Sequence, residues 1–212
     1  ACDELEKGEN FEEDVHDLIK KYLTEHQRIV FNGNGYAPEW VEEAARRGLP
    51  NITSMVDAIP YLITEKTVEL FGKFGVFTRA ELESRVEIKY ESYAKAINIE
   101  TRTMIDMASK QIIPAVIKYT RSLADTVLAV RQAGVDTPVQ SELLAECSAL
   151  LSDTRNALAH LIEVTEHASG MTEGRDQAVY YHDVVMTAMT DLRAPVDRLE
   201  MIVDKSMWPM PS

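Results

Sequence analysis

Histidine and glutamate side chains at helical spacing are the residues of this chain that could bind a metal ion. Di-iron bundle proteins use Glu-x-x-His from two helices with further carboxylates, and here only Glu13-x-x-His16 fits that pattern. His160 and His167 are seven residues apart on one helical face, which His182 could face from the next helix. No carboxylate falls at a ligating spacing beside both of these histidines. We therefore interpret them as structural side chains and assign no metal ligand.

Two other patterns could bind phosphate or another anion. Asn32–Gly35 reads Asn-Gly-Asn-Gly, but it lacks the Lys and the following Ser or Thr of a P-loop and has no βαβ context. We interpret it as a double turn, because Asn and Gly tolerate positive φ; the alternative is a loop that contacts another protein surface. For Arg46 and Arg47, pairing with Glu42 and Glu43 within one helix is favoured over anion binding. No Ser/His/Asp or Cys/His pair stands out, so we predict no catalytic and no cofactor-binding residue.

Composition restricts the class of protein further. The 212 residues, 45% of them apolar, can bury a core in one or two domains. A formal net charge of −13 argues against nucleic acid as a partner, since phosphate neutralisation needs clustered Lys and Arg. Cys2 and Cys147 fit no CxxC spacing and indicate reduced thiols. No signal-peptide pattern opens the chain and no apolar run approaches the ~20 residues that span a bilayer. We expect a soluble cytoplasmic protein with no membrane partner.

Residues 1–77 predict a subdomain of short helices and loops. Asn10 is expected to cap a helix from Phe11 to about Glu25, whose apolar residues recur every three or four positions and would form one buried face. A turn-rich segment follows, and Pro38 then opens a helix that Gly48 closes.

Two more short helices are predicted before residue 78. Ser54 or Thr53 is expected to cap the first, which contains Pro60, and Thr64 is expected to cap the second. Glycines follow the second helix at two positions, and the pattern does not decide which of the two ends it: Gly72 or Gly75.

The character of the chain changes at residue 78. Thr78 and Glu81 match a capping box, in which the hydroxyl and the carboxylate each satisfy an exposed amide at a helix start. The only break before Gly134 is Pro114, so a continuous helix would run roughly 80 Å at 1.5 Å per residue. Pro114 removes one backbone hydrogen bond and clashes with the preceding turn, which predicts a kink there or a break just before it.

Two later helices of about 30 residues complete the predicted bundle, residues 78–212. The first begins with Thr137 as its cap and Gln140 completing a capping box, and it ends at Ser169–Gly170. The second starts near Gly174–Asp176 and could kink at Pro195. Long helices joined by short loops pack antiparallel. We predict an all-α fold, an elongated antiparallel bundle of three long helices plus the cluster of short helices. The positions predicted to be buried are Leu143, Leu150, Leu158, Leu161, Val185, Leu192 and Leu199.

Several loop motifs resemble one known family. Those that occur in the order of the C-terminal part of type III glutamine synthetases are Arg28–Trp40, Arg47–Asn51, Phe74–Thr78, Asn98–Glu100 and Lys110–Tyr119. The ending Met207–Pro211 resembles that family's tail. The resemblance is best from about Phe11 to about Leu123 and weaker from Ala124 to Ser206, where heptad-like helix sequence is common to many proteins.

The resemblance implies that this chain is a fragment without a catalytic region. A parent of this family joins ammonia to glutamate with ATP through a γ-glutamyl phosphate, using Mg²⁺ or Mn²⁺ at an active site between subunits of stacked hexameric rings. Its substrate- and metal-binding residues lie upstream, so the resemblance implies no cofactor in this fragment. The fragment would serve assembly, subunit contact or regulation as part of a homo-oligomer.

The expected partners are the upstream catalytic region and other copies of the chain. The contact surfaces that we expect are the exposed faces of helices 11–25 and 38–47, including Trp40, together with the tail at Trp208. The alternative function is a stand-alone helical bundle that acts as a signalling or interaction module. The long capped helices suit either function, whereas the turn-rich segment 28–51 and the Trp-Pro tail favour the first.

Overall fold

The computed structural model describes residues 2–8 and 10–210, which form helices, turns and loops with no β-strand among them. The predicted all-α class is therefore confirmed. Pro211, the last residue of the predicted tail motif, lies outside the described residues. The chain divides into two compact units, one up to Thr53 and one from Ser54. The division between these compact units follows Thr53, whereas the sequence pattern placed the start of the long-helix bundle at residue 78.

The first unit is built from short helices and one turn-rich loop. Its helices are α1 (Cys2–Leu5), α2 (Phe11–Glu25) and α3 (Pro38–Arg46), with a 3₁₀ turn at Gln27–Ile29. Asn10 precedes α2, but its amide donates to Glu13 Oε2 at 3.2 Å and makes no side-chain cap, so the cap predicted for it is wrong. The apolar face predicted to be buried is open, because Phe11, Ile19 and Leu23 are 68%, 53% and 56% exposed.

The second unit begins with short capped helices and continues into three long helical segments. Its elements are α4 (Met55–Ala58), a 3₁₀ turn (Ile59–Ile63), α5 (Glu65–Lys73), α6 (Arg79–Met107), a π turn (Ala108–Ile112), α7 (Ile113–Gln132), α8 (Pro138–Gly170), α9 (Arg175–Tyr180), a second π turn (Tyr181–Val185) and α10 (Met186–Glu200). Ser54 and Thr64 cap α4 and α5 by accepting from amides three residues on, at 3.0 and 3.3 Å. Gly75, with φ of +63°, follows α5, and Gly72 lies inside it.

The start of α6 confirms the predicted capping box. The amide of Thr78 donates to Glu81 Oε2 at 2.7 Å, and the amide of Glu81 donates to Thr78 Oγ1 at 3.3 Å. From α6 the helical path continues through the π turn Ala108–Ile112 into α7. This wider turn ends two residues before Pro114, whose ring would otherwise clash with the carbonyl of Lys110 four residues back. The helix therefore changes type before Pro114 instead of breaking there, and the kink that was the alternative stays a prediction.

Thr137 precedes α8 without forming the box expected with Gln140, and it makes no side-chain cap. Its hydroxyl oxygen accepts from Arg131 Nε at 3.0 Å and lies 3.3 Å from Ser141 Oγ. The oxygen that would have capped the helix is therefore occupied by other side chains. Sequence spacing did not reveal this competition.

The remaining ends of the long helices follow the sequence signals more closely. α8 ends at Gly170, as predicted, and the third helical segment starts directly after Gly174, where φ is +131°. Pro195 lies inside α10 without interrupting it. In the described part of the chain, no helix is both long enough and apolar enough to cross a bilayer.

The core of the second unit shows that the long helices are antiparallel. Leu150, in the first half of α8, packs with Val116 of α7 and Leu199 of α10. Leu161, further along α8, packs with Ile97 of α6 instead. The predicted core positions 150, 158, 161, 185, 192 and 199 are buried, and position 143 is half-buried. The predicted helix phase is therefore correct.

A smaller apolar cluster covers the beginning of α6. Val56 and Ile59, from α4 and the 3₁₀ turn, pack with Val86 and Tyr90 of α6 and with Ala178 of α9. These contacts attach the segment after Thr53 to the long helices. They explain why the compact unit starts at Ser54 rather than at the capping box.

Candidate functional site

The histidines singled out by their spacing do not converge. His160 and His167 are exposed on α8, and His182 is half-buried in the second π turn. The His167 ring packs against Tyr180 with centroids 4.9 Å apart, and His182 Nδ1 lies 2.7 Å from Asp183 Oδ1. Among the residues that the structure describes, no group of three or more His, Cys, Asp or Glu side chains could hold a metal ion.

The other reactive side chains are also apart from one another. Glu13 and His16 lie on the exposed surface of α2. Cys2 is exposed and Cys147 is fully buried in α8, and both are free thiols. Burial raises the pKa of the Cys147 thiol, and the charge of Glu146 raises it further. Because the thiolate is the reactive form, this environment favours an inert, structural cysteine.

The most connected polar feature of the first unit joins the start of its turn-rich loop to the C-terminal end of α3, and we call it the clasp (Arg28, Glu43, Arg47 and the carbonyl groups of Val30 and Gly48). Arg47 Nη1 donates to Val30 O at 2.6 Å, and Arg47 Nε donates to Glu43 Oε1 at 2.5 Å. Arg28 in turn donates through Nη2 to the carbonyl oxygen of Gly48. Two guanidinium groups therefore hold one backbone carbonyl before the loop tip and one that follows α3.

Glu43 is the anionic centre of this feature. It accepts from Arg46 Nε at 2.6 Å and Arg46 Nη2 at 2.5 Å, in addition to Arg47. Hydrogen bonds from Arg46 and then Arg47 lower the pKa of the Glu43 carboxyl from 4.5 to about 2. The predicted intrahelical pairing is confirmed for Glu43, while Glu42 makes no ion pair within the described residues. The paired guanidinium groups are thus engaged in structure rather than open to an anion.

The loop held by the clasp makes one tight turn. The amide of Tyr36 donates to Asn34 Oδ1 at 3.0 Å, and the amide of Ala37 donates to the Asn34 carbonyl at 3.1 Å. This is an Asx turn, in which the Asn side-chain oxygen accepts the hydrogen bond that a backbone carbonyl would accept in a β-turn. It leaves the Tyr36 side chain fully exposed at the tip of the loop.

The chain changes direction twice in this segment, with a bend at Gly33 and a turn at Gly35–Tyr36, but neither glycine needs the positive φ that the sequence suggested. Gly33 has a different role: a Cβ there would lie 2.6 Å from the ring of Phe31. That ring packs on Trp40 of α3, with centroids 4.8 Å apart. The missing side chain therefore lets an aromatic pair close against the loop backbone.

The arrangement is suited to protein contact. A fully exposed Tyr36 stands on a loop whose first residues are tied to the C-terminal end of α3, which limits the backbone entropy that the loop would lose on binding. Tyrosine is enriched among residues that dominate binding energy at interfaces. The open apolar side chains of α2 add a second contact surface to the same unit.

The comparisons with known proteins agree with one another. Residues 14–131 match the family model described as the glutamine synthetase C-terminal domain. A glutamine synthetase of Butyrivibrio fibrisolvens is 35% identical over 207 residues, which cover 97% of this chain and 30% of that protein. A type-3 glutamine synthetase of Dictyostelium discoideum is 30% identical over 211 residues, covering 92% of this chain and 27% of that protein. A glutamine synthetase of Bacteroides fragilis (strain YCH46) is 28% identical over 214 residues, covering 98% and 29%. The chain spans less than a third of the length of these curated relatives.

Proposed function

This chain belongs to the glutamine synthetase C-terminal domain family, and we propose that it is the C-terminal scaffold region of a longer glutamine synthetase chain. The parent reaction would be the ATP-dependent ligation of ammonia to glutamate, carried out with Mg²⁺ or Mn²⁺ by a catalytic region upstream. Support comes from the names of the relatives and from the share of their length that this chain matches. A cytoplasmic location is part of the proposal and agrees with the free thiols of Cys2 and Cys147.

The role proposed for the fragment itself is protein contact rather than chemistry. The polar groups of the clasp bond to one another and to backbone carbonyls, so they fix the shape of a loop instead of facing a substrate. The observation that carries the proposal is the fully exposed Tyr36 at the tip of that loop. We propose that Tyr36 and the apolar face of α2 contact the upstream catalytic region or another copy of the chain in a homo-oligomer.

The test uses the longer parent chain. Tyr36→Ala should weaken the contact about tenfold, because a lost aromatic anchor costs roughly 1.4 kcal/mol or more. The molar mass of the assembly measured by light scattering and the rate of ATP-dependent glutamine formation should both fall. Tyr36→Phe should keep both, since the ring remains. Unchanged mass and activity in Tyr36→Ala would remove Tyr36 from the interface.

A different result would contradict the proposal that the longer chain is a glutamine synthetase. An unaltered parent that forms no glutamine from glutamate, ammonia and ATP would overturn the enzyme class whatever Tyr36 does. The reading frame upstream of residue 1 distinguishes the scaffold hypothesis from the hypothesis of a stand-alone interaction module. A glutamine synthetase catalytic region encoded there would support the scaffold hypothesis. A reading frame that starts at this chain would overturn it.

A further inference from the structure

An open groove of about 570 Å³ runs along the second unit between α6 and α10, and we call it the methionine groove. Both walls carry methionines, Met104 and Met107 on α6 and Met189 on α10. Its floor contains the buried side chains of Ala108 and Leu192. The thioether chain of Met is flexible and polarisable, which lets such a surface adapt to different apolar shapes.

The groove has the length of a short helix. Its wall extends from Ile99 to Ile112, about 20 Å at 1.5 Å per residue. The π turn Ala108–Ile112 forms part of that wall, and π turns inside α-helices are frequent at functional sites. Near this end the tail residues Trp208 and Met210 line the groove, and Trp208 Nε1 donates to Glu200 Oε1 at 3.1 Å.

The charged side chains of the groove are mostly acidic. Glu100, Asp197 and Glu200 supply three carboxylates against the single guanidinium of Arg193, which leaves two net negative charges. Arg193 is itself neutralised locally, because its Nε bonds Asp197 Oδ2 at 3.0 Å. An apolar channel with an acidic edge complements a ligand that is apolar on one side and cationic beside it.

We propose that the methionine groove binds a basic amphipathic helix of a partner protein. Three long helices leave the groove between α6 and α10 as the position of a fourth, and the helix-in-groove mode needs apolar anchors at i, i+3 or i+4, and i+7. Lys or Arg beside those anchors pairs with Glu100 and Glu200, because Asp197 is already paired with Arg193. The partner segment has about 14 residues, the length that spans 20 Å.

The probe is a synthetic helix of about 14 residues made of Leu and Lys, with Leu on one helical face. In the Trp40→Phe chain, Trp208 is the remaining tryptophan of the two, so its fluorescence reports on the groove. We expect saturable one-to-one binding at about 10 µM or tighter. In ¹³C-methyl spectra the signals of Met104, Met107 and Met189 should shift, while that of Met55 on α4 should not.

Charge variants separate the groove from the generally acidic surface. Glu100→Gln with Glu200→Gln should weaken binding about tenfold or more, because both carboxylates face the groove. Glu163→Gln with Glu166→Gln removes the same charge from the exposed surface of α8 and should change the affinity less than about twofold. Equal weakening by both pairs would overturn the proposal.

Two peptide controls and one concentration series test whether the groove binds a basic amphipathic helix. A peptide of the same composition with scrambled order has no apolar face and should bind at least about tenfold more weakly. A Leu and Glu helix of the same pattern should not bind. Equal binding of either peptide would overturn the proposal, and so would shifts of the groove methionines when the chain alone is concentrated, since a second copy would then be the occupant.

Discussion

Arg47 and Val30, seventeen residues apart, are joined by a hydrogen bond of 2.6 Å from the guanidinium Nη1 to the carbonyl oxygen. The same guanidinium bonds Glu43 Oε1 through Nε at 2.5 Å and lies 5.9 Å from the centroid of the Phe31 ring. One side chain therefore connects the loop backbone, an anion and the aromatic pair of the first unit. We therefore expect the conformation of the loop to depend on the charge of Glu43.

The clasp should open in acid. Because hydrogen bonds from Arg46 and then Arg47 lower the pKa of Glu43 from 4.5 to about 2, the folded unit binds this proton more weakly than the unfolded chain does. The contribution to stability is complete above about pH 4.5 and is lost as the pH falls from there toward 2. In the Trp208→Phe chain, Trp40 fluorescence should report this loss through its contact with Phe31.

Glu43→Gln is the matched control for the acid titration. Its amide keeps the size of the side chain but has no proton to gain, so the part of the Trp40 transition between pH 4.5 and 2 should disappear. Superimposable titrations of the two chains would mean that the loop does not depend on Glu43.

Leu158 should be a major contributor to the stability of the second unit. It is 2% exposed in the cluster formed by α6, α8 and α10, so Leu158→Ala should cost about 2–5 kcal/mol through lost burial and the cavity left behind. Leu128→Ala is the control, since Leu128 on α7 is 60% exposed and should cost less than about 0.5 kcal/mol. Urea unfolding of the two variants measures the difference, and similar losses would contradict the observed helix phase.

The sequence predicted those helix ends whose signals act within a few residues. The Thr78 hydroxyl needs only the amide of Glu81, and Gly48 adopts a φ of +62° at the end of α3. Asn10 and Thr137 had equally suitable side chains, but neither caps its helix. The Thr137 hydroxyl is occupied by Arg131 and Ser141, whereas the Asn10 side chain donates its amide nitrogen to Glu13. Capping signals therefore predict a helix end reliably only when no competing partner is near.

The sequence predicted only some of the bonds of the clasp. The pairing of Glu43 with Arg46 and Arg47 follows from their spacing on one helix. The bond from Arg28 to Gly48 could not be predicted, because its acceptor is a backbone carbonyl that every residue carries. Periodicity likewise identified the apolar face of α2 but contains no information on what covers that face.

Loss of the Thr78 hydroxyl should destabilise the start of α6. Thr78→Ala removes the acceptor for the Glu81 amide and should cost about 0.5–2 kcal/mol. Thr126→Ala is the control, since Thr126 is an exposed threonine inside α7 that bonds only back to the Ser122 carbonyl, and its loss should change stability by less than about 0.5 kcal/mol. Thr78→Ser should retain most of the stability. Equal effects of the two alanine variants in thermal unfolding would rule out a specific cap.

The two glycines near the end of α5 should respond to alanine in opposite directions. Gly72 lies inside the helix with no atom within 4 Å of an added Cβ, so Gly72→Ala should stabilise by about 0.5–1 kcal/mol by reducing the freedom of the unfolded chain. Gly75 has equally open surroundings but a φ of +63°, where a Cβ costs about 1–2 kcal/mol. Because neither site is crowded, the pair isolates backbone conformation from packing. Urea midpoints should therefore rise for Gly72→Ala and fall for Gly75→Ala. Destabilisation by Gly72→Ala instead would mean that the helix ends there, which is the termination that the sequence pattern left open.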